Sequence, residues 1–181
     1  PCFRLVPSRF PPIELFEMVS DPANLEAVKE LEAAFNPRVR DQVGELGLVP
    51  AEDRISGPGS SPIMAAFTHR NPAGSRFSDG TFGVFYAGRE RETAVAEVQH
   101  HQQRFLAETD EPPKELDYRM YLVDLEAELH DLRGWAPSIP GVLDPEDYTA
   151  GQRLGRTLKE SNSWGIAYES VRNPGGECAG V

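Results

Sequence analysis

Residues 73–107 read AGSRFSDGTFGVFYAGRERETAVAEVQHHQQRFLA and change backbone character twice in a short span. Gly74, Ser75, Ser78, Asp79 and Gly80 surround Arg76 with turn formers, so Arg76 is predicted to lie on a loop. Phe82 to Ala87 is an aromatic and β-branched run suited to a buried strand. After a short polar turn a helical pattern runs from about Glu92 to Ala107. Val95, Val98, Gln102 and Phe105 form one stripe, with Ala94 and His101 beside it. Loop, strand and helix in this order predict an α/β (α+β) fold with a mixed, twisted central sheet and peripheral helices.

The rest of the chain agrees with a mixed, loop-rich fold. Residues 1–13 alternate around Phe3 and Leu5 until Pro7 and the Pro11-Pro12 pair, which predicts a short strand entering a turn. Asp21 and Pro22 supply an N-cap and a first-turn proline. Leu25, Val28, Leu31, Ala34 and Phe35 then recur at helical spacing, predicting a helix that stops before Pro37. Pro37, Pro50, Pro58, Pro62 and the Gly57–Ser61 cluster predict an irregular excursion over 37–62 with at most short helical pieces. Strands are further expected at Tyr118–Leu125 and Gly165–Tyr168, the latter after a helix near Tyr148–Lys159. No internal repeat or heptad pattern is present.

Composition narrows the classes. With 181 residues, 39% hydrophobic and 26% charged, the chain fits one compact domain, or a domain with a small appendage, more easily than two independent ones, and fibrous or disordered classes are excluded. Eighteen basic against 29 acidic side chains leave a net charge of −11, so a broad phosphate-wrapping surface is not expected and direct nucleic-acid binding is set aside. A local basic pocket is compatible with this. Gly and Pro, 16 each, make up about 18% of the chain against an average of about 12%, which again predicts many turns. Two cysteines, Cys2 and Cys178, do not make a disulfide scaffold, and a reducing, cytoplasmic setting is expected. No apolar run approaches the roughly 18 residues of a membrane span.

Arg76 in a loop, Tyr86 near the far end of a strand and Glu97 in the following helix can converge. A guanidinium fork suits phosphate or ribose oxygens, a ring offers a face for a heterocycle, and a carboxylate stabilises positive charge developing on a sugar carbon. Together they suit the glycosidic bond of a nucleotide. The spacing alone equally allows Arg76 to cap a strand or pair with Asp79, Tyr86 to be core and Glu97 to lie on a solvated helix edge.

The same residues carry a resemblance. Gly74-Ser75-Arg76-Phe77, Val84-Phe85-Tyr86 and Thr93-Ala94-Val95-Ala96-Glu97, followed late in the chain by Tyr168-Glu169-Ser170-Val171-Arg172-Asn173-Pro174, resemble the motifs of RES-domain toxins. These toxins belong to the RES–Xre toxin–antitoxin systems. The opening Phe3-Arg4-Leu5-Val6-Pro7 is similar to the start of that family. The resemblance implies a fold similar to ADP-ribosyltransferases and a single RES domain over 1–181, with a helical and loop insertion at about 14–70. The long insertion makes the chain similar to larger, ParT-like members. It implies NAD⁺ as substrate, cleaved at its nicotinamide–ribose bond by glycohydrolysis or phosphorolysis, with mono-ADP-ribosylation of a host protein as the alternative. It also implies an Xre-family antitoxin as partner. By the same resemblance Arg76, Tyr86 and Glu97 are catalytic, and Arg4 and Ser170 line the pocket. The family's Gly-Gly-Arg-Trp is Gly-Ser-Arg-Phe here, which makes one aromatic wall smaller, and Ser78, counted with Arg4, Ser170 and Arg172 among the expected substrate-binding residues, stands where an Asn is usual. From a different class, a non-catalytic module that only binds a nucleotide would use the same pocket.

Other residues have plainer readings. His100 and His101 are adjacent, point about 100° apart on a helix and do not suit a shared metal, so no metal is expected. Ser170 lacks a GxSxG context or a local histidine, which favours ligand hydrogen bonding or strand capping over nucleophilic attack. Arg172 is either a phosphate ligand or half of an ion pair. Trp135 and Trp164 read as core or interface anchors. Asp124, Glu126, Glu128 and Asp131 read as a solvated edge, with a basic partner as the alternative.

Overall fold

The computed structural model describes residues 1–8, 15–35, 43–109, 112 and 115–181. The chain divides into two compact units, Pro1–Arg9 with Ser75–Asp79 and Tyr86–Val181, and Phe10–Gly74 with Gly80–Phe85. The first unit holds a six-stranded mixed sheet in the order β3-β1-β2-β6-β5-β4. Its strands are β1 (Cys2–Pro7), β2 (Tyr86–Gly88), β3 (Tyr118–Val123), β4 (His130–Asp131), β5 (Ile166–Glu169) and β6 (Glu177–Gly180). Neighbours run antiparallel except β4 and β5, which are parallel. The helices are α1 (Leu15–Met18), α2 (Leu25–Phe35), α3 (Ser60–Thr68), α4 (Arg91–Ala107) and α5 (Thr149–Glu160). This is the mixed sheet with helices that the sequence predicts.

In the second unit an apolar cluster of Leu15, Phe16, Val19, Leu25, Val43, Leu46, Val49 and Met64 is buried. The entry to α2 follows the expected chemistry: the Asp21 carboxylate accepts from the Ala23 N–H at 3.0 Å, and Pro22 opens a 3₁₀ turn before α2. Between Val43 and Ser60 the backbone is irregular with two 3₁₀ turns, as the prolines predict. The helix α3 departs from that expectation. Pro62 lies in its first turn, where an absent N–H costs nothing, so it begins a helix instead of breaking one. The turn expected at Pro11 and Pro12 and the helix end expected before Pro37 fall outside the described residues.

Two further expectations are corrected. The strand expected over Phe82–Ala87 spans only Tyr86–Gly88. Residues 80–85 belong to the second unit, where Gly83 runs so close to the Ala66 and Phe67 backbone that a Cβ would overlap it. The stripe expected on α4 is also displaced: its buried residues are Thr93 and Ala94, while Phe105 is 58% exposed. Trp135 and Trp164 are exposed and take no part in the core. Among the described residues no helix is long and apolar enough to cross a membrane.

Candidate functional site

All seven candidate residues lie in the sheet unit. Arg76 sits on a tight turn in which the Ser75 N–H donates to the Ser78 carbonyl at 2.7 Å. The turn is gripped from two sides. From β2, the Tyr86 hydroxyl accepts from the Phe77 N–H at 2.9 Å and shares a hydrogen bond of 2.9 Å with Ser75 Oγ. From α5, Gln152 donates to the Ser75 carbonyl at 3.2 Å. Gly151 and Gly155, one turn apart on that helix, leave room for the Arg76 and Phe77 carbonyls, where any Cβ would collide. Phe77 and Ser78 are both buried. Phe77 meets Tyr168 edge to face at 4.9 Å within an apolar cluster that includes Val142, Ile166 and Cys178, so it is core and not a pocket wall.

This anchoring leaves the buried Arg76 guanidinium with two partners. Its Nη1 donates to the Asp144 carbonyl at 2.7 Å, and its central carbon lies 4.6 Å from the centroid of the Tyr148 ring. Asp79 pairs with Arg156 instead. The nearby Arg172, with only 12% of its side chain exposed, donates from Nη2 to the next carbonyl, that of Pro145, and stands 3.9 Å from the Glu146 carboxylate. Its buried Nε has no partner among the described residues. Two adjacent carbonyls thus bring two guanidinium groups to one loop. The same loop carries the carboxylates of Asp144, Glu146 and Asp147, so the two cations are offset there, while Arg172 keeps an unused donor in its Nε.

Glu97, on α4, is held from the opposite end of the sequence. Ser170, just past β5, donates to Glu97 Oε1 at 2.7 Å. The Ser170 oxygen also accepts from the N–H groups of Arg172 and Asn173 at 3.2 and 3.0 Å. Its proton and its lone pairs are therefore committed, which fits a positioning role and not that of a nucleophile. Asn173 in turn donates to Thr93 Oγ1 at 2.9 Å, and Thr93 donates to Glu90, pinning this loop to the start of α4. Cys178 Sγ lies 4.0 Å from Glu97 Oε1, and burial pushes its thiol up to about 12. The other Glu97 oxygen has no partner among the described residues. A carboxylate held by one oxygen, with the second free, is equipped to grip a hydroxyl or face a cation.

Arg4 in β1 donates to the Tyr86 carbonyl at 2.9 Å, and burial lowers its guanidinium to about 10. Burial also pushes the Tyr86 hydroxyl up to about 12, against the opposing pull of Ser75, the Phe77 N–H and Arg76. Tyr86 packs on the apolar cluster with its hydroxyl engaged, so the structure places it as the post that fixes the Arg76 turn. His100 and His101 have ring centroids 5.7 Å apart at 69°. Among the described residues no group of three or more His, Cys, Asp or Glu is arranged around a common point. A groove of about 370 Å³ lies elsewhere, between the end of β1, the start of β3 and Gln102, Phe105 and Leu106 of α4, and no candidate residue lines it.

Sequence reading picked out Arg76, Glu97 and Ser170 but passed over Tyr148, Asn173 and Thr93. Tyr148 stood at the edge of an expected helix, with nothing in the local pattern to bring it to Arg76, 72 positions away (148 − 76). Asn173 and Thr93 each lie within a quoted motif, yet their pairing across 80 residues has no local signal.

Comparison with known proteins bears on the same residues. A family model described as the RES domain matches residues 51–181, a span that contains six of the seven candidates and leaves out Arg4. The chain is also 30% identical over 181 residues to a protein of Sinorhizobium fredii described as uncharacterized protein y4oC. That alignment takes in 99% of this chain and 74% of the relative.

Proposed function

The chain belongs to the RES domain family, and on that premise we propose that it is a toxin of a toxin–antitoxin pair that binds NAD⁺ and cleaves its nicotinamide–ribose bond. The observation that carries the reading is the Ser170–Glu97 hydrogen bond of 2.7 Å, which fixes a carboxylate in the unit that also holds Arg76 and Arg172. An anionic dinucleotide with a cationic leaving group needs both signs of charge in one site.

The chemistry follows from the substrate. The nicotinamide nitrogen of NAD⁺ carries a positive charge, so the C–N bond breaks with its electron pair passing to that nitrogen and no general acid is required. The ribose is left as an oxocarbenium-like centre, as in glycoside cleavage. Glu97 stabilises this charge, and its unpartnered oxygen takes a ribose hydroxyl. Arg76 and Arg172 exchange carbonyl partners for the pyrophosphate oxygens, a stronger charge-assisted contact. Tyr86 and Arg4 keep the Arg76 turn and β2 in register behind them. Water completes hydrolysis by adding its oxygen to the sugar carbon and releasing a proton. Phosphate in its place gives a ribosyl phosphate. Ser78, buried in the turn, supports this site from behind.

An Xre-family antitoxin is the proposed partner, and the cytoplasm the proposed setting. The deciding experiment is incubation of purified protein with NAD⁺ at varied phosphate. Nicotinamide release is expected, faster with phosphate if phosphorolysis operates. Label retained on a cell protein would instead mark ADP-ribosyl transfer. No release under any condition, with NAD⁺ still bound, would leave a binding module.

A further inference from the structure

The site needs an aromatic face for the base of its substrate, and Tyr86 is poorly disposed to give one. Its hydroxyl is spent on Ser75 and Phe77, and it packs on the apolar cluster. Phe77 is core. Tyr148 differs on each count. It is half-buried at the start of α5, and its ring lies against the Arg76 guanidinium at 4.6 Å. The backbone on either side of it is tied down. Asp144 Oδ1 accepts from the N–H groups of Glu146 and Asp147 at 2.8 Å each, and Asp147 Oδ1 accepts from that of Thr149 at 2.9 Å. These hydrogen bonds hold both carboxyls below their ordinary values. Tyr148 is thus a ring held in advance on a fixed loop, beside the arginine that would take the pyrophosphate.

We infer that Tyr148 is the platform on which a planar nitrogen heterocycle of the substrate, nicotinamide or adenine, stacks. This deepens the NAD⁺ reading and rests on it. Arg76 covers one face of the ring and the heterocycle meets the other, so arginine, phenol and base form one stack. Orienting Arg76 and seating the base become a single act. A ring pre-ordered in this way loses little conformational freedom on binding.

Calorimetric titration of the Glu97→Gln protein with nicotinamide mononucleotide and, separately, with AMP tests the inference without turnover. Tyr148→Ala on that background is expected to weaken one of the two ligands by roughly 5- to 150-fold, the range of a base–aromatic stack. Tyr148→Phe is expected to stay within about twofold, because the ring face and not the hydroxyl does the binding. The weakened ligand identifies which base stacks. Equal binding by Tyr148→Ala for both ligands overturns the inference, as does a Tyr148→Phe loss matching that of Tyr148→Ala. A Tyr148→Leu protein that binds as tightly as the parent overturns it too, since bulk alone would then suffice. Unchanged thermal unfolding of the variants excludes a folding defect. If the wild type cleaves NAD⁺ and these variants bind normally, only the stacking inference falls. If the wild type binds neither NAD⁺ nor its halves, the NAD⁺ reading falls and this inference with it.

Discussion

The two units of the chain are built on different principles. Around Phe16, Leu25 and Met64 the interior is a cluster of eight apolar residues, of a kind that any well-packed small domain would use. The same unit also buries three hydroxyls, Ser60, Ser61 and Thr68, whereas the sheet unit buries a guanidinium, that of Arg76, together with Ser78, Thr93 and Ser170. Each such group costs desolvation that only a good hydrogen bond offsets, so an interior seeking stability alone would not gather them. Their partners are specific and distant in sequence: Thr93 with Asn173, Ser170 with Glu97, and Arg76 with Asp144. The unit around Phe16 thus has an interior that serves stability, while the interior of the sheet unit also holds charged groups in place.

Three measurements break or sharpen that contrast. The largest effect is expected in the apolar unit, where Phe16→Ala should lower stability by about 3–5 kcal/mol, as for other buried aromatic truncations. Urea unfolding followed by circular dichroism checks it, and a loss below about 1 kcal/mol would show that this cluster is loosely packed. In the sheet unit Glu97→Gln should cost roughly 2.7–4 kcal/mol of activation barrier, about two to three orders of magnitude in nicotinamide release. Its unfolding midpoint should stay level or rise, because a residue selected for function is rarely the most stable choice. A marked fall in both quantities would make Glu97 a structural residue and erase the distinction.

The smallest effect is on alkaline stability. Burial raises Cys178 from 9.0 to about 12 and Tyr86 from 10.0 to about 12, so the fold favours the protonated form of each. Their contribution is complete about one unit and more below 9.0, where neither ionises appreciably in the unfolded chain, and fades as pH rises toward 12. The urea midpoint should therefore fall between about pH 8 and about pH 10.5, and fall less in Cys178→Ala. A pH-independent midpoint would mean that both groups are better solvated than their burial implies.

Much of the fold was legible in the sequence because its signals are local. The Asp21-Pro22 cap, the helix over 91–107 and the strands at 2–7, 118–123 and 166–169 follow from spacing and turn chemistry within a few residues of each other. The errors arose where distant chain decides. Residues 82–85 look like strand, yet Gly83 draws them onto α3, and the two-residue β4 exists only because β5 lies beside it. The site divides in the same way. Arg76, Glu97 and Ser170 stand out as residue types within motifs. Tyr148 and the Thr93–Asn173 pair become visible only once α5 and the loop after β5 are folded back.

Strand β6 comes last of the six in chain order and yet lies inside the sheet, between β2 and β5. During synthesis, the segment carrying Glu97 therefore leaves the ribosome long before the one that delivers Ser170 to it. The emerging polypeptide has no assembled centre until β5 and β6 zip onto β2, a pairing of high contact order. Whatever reaction the centre carries out, it therefore cannot begin on a nascent chain and waits for the last strands to arrive.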